Sequence, residues 1–221
     1  MNLWQRAVCI VAVVLLTATA ASAQNLLVNP SFDDPPLGVG APPPGWIAFG
    51  NVFAEPSVPP QFVPLSGPGL CSMFGSFTGG FNVSGIFQEY VATPGTTWLL
   101  SSNARHWSGD AMTGIGAGSC TPNCTDNWVV QKIAFFDAGN NEIGAAESVI
   151  LDGTYATDVW HPAAAITGTA PAGTVKVQAL ILYLQPLFAG GAAHIDDVVF
   201  GDASTVVTEP STWGKVKALY E

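Results

Sequence analysis

Three observations predict an all-β fold, two antiparallel sheets packed as a sandwich or jelly roll. Helical periodicity is nearly absent. Short runs rich in Val, Ile, Phe and Trp recur along the chain, and clusters of Gly, Pro, Asn and Ser separate them. The number and spacing of the runs suit two sheets.

The chain opens on a segment that predicts a secretory leader. Arg6 supplies the positive region, Ala7 to Leu16 the apolar stretch and Ala21-Ser22-Ala23 a small-residue cleavage site. The apolar run is shorter than the roughly 20 residues a spanning helix needs. Removing 23 residues from 221 leaves 198, a one-domain length, over 24–202 plus a tail at 203–221. No second apolar stretch is long enough to span a bilayer, so no membrane insertion is expected after leader cleavage, and the product is expected outside the cell or at its surface.

Strands are predicted in order at Leu26 to Val28, Trp46 to Phe49, Leu70 to Phe74, Gly85 to Ala92 and Thr97 to Ala104. Others are predicted at Trp128 to Phe136, Ser148 to Leu151, His161 to Ile166, Val175 to Tyr183 and Ala193 to Phe200. Turn chemistry at Pro94-Gly95, at 137–141 and at 170–173 punctuates them. Asp34 to Gly45, with five prolines, reads as an extended loop. Ser108 to Asn127, rich in Gly, Ser and Thr, reads as a second long loop. In the tail, Trp213, Val216 and Leu219 or Tyr220 share one side of a weak helical pattern.

Formal charge is −10, and loss of Arg6 takes it to −11. Such a field disfavours nucleic acid and anionic membrane surfaces. It is compatible with divalent cations and neutral glycans. Three cysteines follow the leader, and export favours a disulfide. Cys120 with Cys124, closing a short proline turn, is the favoured pair; the alternative is Cys71 with either, and one cysteine is left over.

No catalytic constellation is legible. Glu89, Asp110, Glu142 and Glu147 form no recognisable glycosidase pair, and His106, His161 and His194 are scattered with no nucleophile elbow. A non-enzyme is expected.

"NLLVNPSFDD", "IFQEYVATPGTTWLLSSNAR", "IAFFDAGNNEI", "TAPAGTVKVQALI" and "HIDDVVF", in that order, resemble the CenC-type carbohydrate-binding modules of the galactose-binding-like superfamily. The resemblance runs from about Asn25 to Asp202, with Ser31, Asp33 and Trp98 departing from the usual Gly, Glu and Tyr. It implies a jelly roll whose first and last strands lie together beside a structural calcium. Asp33 and Asp196 match the acidic positions that hold the ion, and Asp197, by strand alternation, is expected on the opposite face. It also implies that Trp98 and Trp160 are core residues. "EPSTW" resembles the start of the PEP-CTERM sorting signal, without that signal's hydrophobic helix and basic end.

Sugars present CH faces and hydroxyl rims, so a site pairs aromatic platforms with a few polar groups. The stretch "NARHWSGD" and the strand after the long loop supply both. Trp107 and Trp128 are expected to flank one cleft, with Arg105 and Gln131 as hydrogen-bonding partners and Tyr183 as a further contact. Gln88 is expected to satisfy buried backbone groups instead. The function these readings predict is a secreted, non-catalytic module binding a polysaccharide or glycan. The alternative is a structural or adhesive extracellular protein with the same fold and no sugar site.

Overall fold

Gly50 is where the chain leaves one sheet for the other. It takes φ +70°, and a Cβ there would stand 2.5 Å from the Ser84 hydroxyl, so the corner demands glycine. In this computed structural model, which describes residues 24–34, 41–77, 80–114 and 126–203, the corner joins the edge strands of two antiparallel sheets. Sheet A runs β1 (Ile47–Phe49), β4 (Asn82–Val91), β10 (Lys176–Gln185), β6 (Trp128–Phe136) and β7 (Glu142–Asp152). Sheet B runs β2 (Asn51–Pro56), β3 (Gly69–Phe74), β11 (Ala192–Asp202), β5 (Thr97–Arg105) and β8 (His161–Pro162), with β9 (Ile166–Thr169) also on β5. The sandwich is the predicted one. Among the described residues the one helical element is a 3₁₀ turn at Ser108–Asp110.

Period-2 alternation builds the core. On β10, Val177, Ala179, Ile181 and Tyr183 are buried, while the residues between them are half-buried. Inward residues of both sheets meet around Trp98, which stacks on Phe200 at 5.1 Å, and around Phe32, 5.5 Å from Trp46.

The two ends of the domain lie together as expected, though through side chains more than a ladder. Leu26 N donates to Phe200 O (2.8 Å) and Val198 N to Pro30 O (3.0 Å). The Asn25 amide spans both of its partners, giving to Val198 O and taking from Phe200 N. Residues 26–28 are accordingly not a regular strand. Gln88 holds them instead, bonding both N and O of Val28.

Other differences have local causes. β2 was not predicted because "NVFAEP" ends in proline, which is tolerated on the outermost strand of sheet B. The run predicted at 161–166 divides into β8 and β9. Trp160 is half-buried rather than core, and its indole N–H donates to Val63 O.

The expected disulfide is corrected: among the described residues there is none. Cys71 is a free thiol, fully buried in the core. Burial, reinforced by the charges of Asp196 and Glu55, raises its pKa well above the usual thiol range. Cys120 and Cys124, the leader at 1–23 and the tail from residue 204 onward lie outside the described residues.

Candidate functional site

The two outer faces of the sandwich differ. Sheet B is roofed by residues 57–68, and a buried cation supports the roof. Arg105, 3% exposed, donates to Gln61 O (2.8 Å), Pro60 O (3.3 Å) and Asp158 Oδ1 (3.2 Å). Its Nη1 also stands 3.1 Å from His194 Nδ1. A guanidinium only donates, so that ring nitrogen accepts and His194 carries its proton on Nε2. Burial pushes the His194 pKa down to about 3, helped by the neighbouring Arg105 and His106 charges. Phe62 from the roof packs over the imidazole at 5.3 Å.

Sheet A has no such roof among the described residues. Its outward side chains form cross-strand rows set by the register. One row joins Val83, Leu184 and Trp128; the next joins Phe49, Gly85, Leu182, Val130 and Val149; a third joins Ile47, Phe87, Leu180, Lys132 and Glu147. Gly85 is small because its neighbours lie over it: a Cβ there would stand 2.8 Å from both Phe49 Cζ and Leu182 Cδ2. Phe49 and Phe87 are 6.4 Å apart. The far end of the face is charged. Lys132 bridges both Glu142 oxygens, Gln178 donates to Glu89, and Lys176 pairs with Glu89 while lying 5.1 Å over the Phe136 ring. A small depression there is lined by Glu89, Tyr90, Val91 and Lys176.

The residues predicted as one site are dispersed. Trp128 lies on the open face of sheet A. Trp107 follows β5 of sheet B and its ring packs against Gly109. Arg105 is under the roof. Gln131 and Tyr183 are fully buried between the sheets. Gln131 accepts from Ser102 Oγ and donates to Ala164 O; the Tyr183 hydroxyl accepts from Asn127 and donates to Gly191 O. A ligand on the surface touches neither side chain. Phe49 and Phe87 were missed, since nothing local marks which face of a strand a side chain takes.

The two acidic positions grip one loop from opposite chain ends. Asp33 Oδ1 accepts from Gly69 N and its Oδ2 from Ser31 Oγ. Asp196 Oδ2 accepts from Leu65 N and Ser66 N, and its Oδ1 from Asp197 N. Asp197 was expected on the opposite face. A bulge between Asp196 and Val199, with Asp197 at φ +45°, instead brings it to Ser66 Oγ at 2.7 Å. Burial pushes Asp196 up to about 7 against the pull of its amide donors. A calcium ion takes six to eight oxygens; here each Asp33 and Asp196 carboxylate oxygen accepts an N–H or O–H donor. Among the described residues no three Asp, Glu, His or Cys groups converge on a metal position.

Fold and surface together define a two-sheet jelly-roll module in which, among the described residues, one face is roofed and the other open. The same architecture occurs in TmCBM61, solved in complex with beta-1,4-galactotriose; the likeness has a TM-score of 0.50 at 15% identity and covers 81% of this chain and 99% of that one. It also occurs in the enzymatically active domain of bacteriophage CBA120 tailspike protein 4, at TM-score 0.50 and 15% identity, covering 80% of this chain but 21% of that one. No protein-family model matches the chain, and no curated protein matches it in sequence. No helix among the described residues is long and apolar enough to cross a membrane.

Proposed function

We propose that the chain is a non-catalytic carbohydrate-binding module of CenC type, exported from the cell, that lays a neutral polysaccharide across the outer face of sheet A. The observation that carries this reading is the aromatic set Trp128, Phe87 and Phe49 on a sheet face that no described segment covers, beside hydrogen-bonding groups on Gln178, Glu89, Lys132 and Glu147. Rings take the CH faces of sugars and the polar row takes hydroxyls. The fold shared with a galactotriose-bound module puts β-1,4-galactan first among polymers to test.

Trp128→Ala and Phe87→Ala are each expected to weaken retention in polysaccharide affinity gels by about tenfold, or about 1.4 kcal/mol. Trp107→Ala is expected to leave it unchanged. Full retention by variants that melt like the wild type ends this placement.

A second reading is favoured by one specific feature. Leu180, Leu182 and Leu184 form a column on the central strand with Val83 and Val130 beside it, and none of these offers a hydrogen bond. A structural or adhesive protein uses such a surface. Absence of any glycan binding, with self-association abolished by Leu182→Asp, decides for it.

We also infer that the clasp formed by Asp33 and Asp196 holds without calcium, the amide donors taking the cation's part. A ligand of the native state raises its melting temperature. Excess calcium and excess chelator are therefore expected to give the same melting curve; a clear rise with calcium overturns the inference.

A further inference from the structure

Four large apolar side chains stand in solvent at one end of the sandwich. Phe77 is 78% and Phe81 72% exposed, on the connection from β3 to β4; Phe188 is 57% and Leu187 41% exposed, on the connection from β10 to β11. Exposed apolar residues in slack loops are ordinary. These loops are built from beneath. Gln185, fully buried, accepts from Ser76 N and donates to Ser76 O and Ala189 O, tying the two connections together. Asn127 donates to Gly190 O (2.6 Å) and Tyr183 to Gly191 O (2.7 Å), again from fully buried side chains. Phe77 is also seated on Phe74 at 5.2 Å, and Phe74 stacks on Phe53 at 5.4 Å. Three buried polar groups thus hold the backbone at Ser76 and at 189–191 while the large apolar residues face outward. That arrangement preorganises a display.

We propose that this tip docks on a zwitterionic lipid bilayer, with Phe77, Phe81, Leu187 and Phe188 entering the headgroup–acyl boundary. Neither 75–81 nor 186–191 contains a charged residue, so the displayed side chains carry no charge into an apolar layer, and the nearest carboxylate, Asp110, is tied to the Gly191 amide. The exposed area of the four side chains is roughly 400–500 Å², taking 150–250 Å² per aromatic. That is short of the roughly 800 Å² per partner of a stable protein interface, which disfavours a second copy as the occupant. The chain's net charge of −10 repels an anionic surface, so the usual preference for acidic lipid is reversed. This is peripheral docking by loop tips, distinct from a spanning segment, and it does not depend on the sheet A site.

The test is co-flotation of the whole protein with phosphatidylcholine vesicles, alone or with phosphatidylglycerol added. The wild type is expected to float with phosphatidylcholine and less with the anionic mixture. Phe77→Ser with Phe188→Ser is expected to lose at least tenfold in partitioning while keeping the wild-type melting curve and glycan retention. If that pair does not fold, Phe81→Ser with Leu187→Ser reads the same tip. A Phe188→Trp variant is expected to shift its emission to the blue on adding phosphatidylcholine vesicles. No flotation of the wild type, equal flotation of the serine variants, or no emission shift overturns the proposal. So does a tip-dependent self-association without flotation, or a loss of glycan retention in the serine variants with flotation intact.

Discussion

Replacing Arg105 with alanine lowers the stability of the fold by about 3–5 kcal/mol and the melting temperature by roughly 10 °C or more. The guanidinium is the one Arg or Lys group buried among the described residues, and its donors serve four separate partners: two roof carbonyls, the His194 ring and Asp158. Truncation leaves the Gln61 and Pro60 carbonyls unpaired beneath the roof and removes the support of residues 57–68. The salt bridge adds little of this loss, since Asp158 is partly in water. Arg105→Lys is expected to recover only a fraction, because one ammonium cannot reach partners that a planar fork meets together. Thermal and urea unfolding measure both variants. An alanine variant that melts within a degree or two of the wild type but no longer holds glycan returns Arg105 to the ligand site.

Acid weakens the same roof, through His194. Its folded pKa of about 3 lies below the ordinary histidine value of 6.5, so the neutral ring contributes stability that is fully present above pH 6.5. As pH falls from 6.5 toward 3 the unfolded chain takes up a proton that the folded ring refuses, and stability is lost at somewhat over 1 kcal/mol per pH unit at most. The groups facing the ring explain why protonation is resisted: Arg105 donates to it, and a proton on Nδ1 would set two cations 3.1 Å apart. Asp196 works in the other direction. Its folded pKa of about 7 is raised, so its proton uptake favours the folded state as pH falls through the same range. The informative quantity is therefore the stability difference between wild type and His194→Asn, in which the Asp196 contribution cancels. That difference is expected to move by more than about 1 kcal/mol in favour of the variant between pH 6.5 and 4.5. A constant difference across that range removes His194 as the source of acid lability.

Much of the fold was legible because it rests on local chemistry. Alternating β-branched and aromatic runs marked most strands, and glycine–proline clusters marked the turns. The meeting of Asn25 to Pro30 with Val198 to Phe200 was implied by the family that the motifs resemble. The candidate site was legible only in Trp128. Gln131 lies between Val130 and Lys132 and points inward; its neighbours point out. Tyr183 looks like an aromatic platform and is a buried pin for the 186–191 connection. Both sides of β10 are apolar, with Leu180, Leu182 and Leu184 outward and Ala179, Ile181 and Tyr183 inward. Where the two faces of a strand have the same character, hydropathy carries no sign of which face is which.

The chain by itself determined the class of fold, the positions of most strands along it and the want of positive charge. Each depends on residue type and short-range spacing, which are written in the sequence directly. The tertiary structure decided which side chains share a surface: it buried Arg105 under a roof, set Asp197 beside Ser66 through a bulge, and aligned Phe49, Phe87 and Trp128 on one open sheet. Those placements depend on register and on which sheet a strand joins, and a shift of one residue would turn every side chain of a strand to the other face.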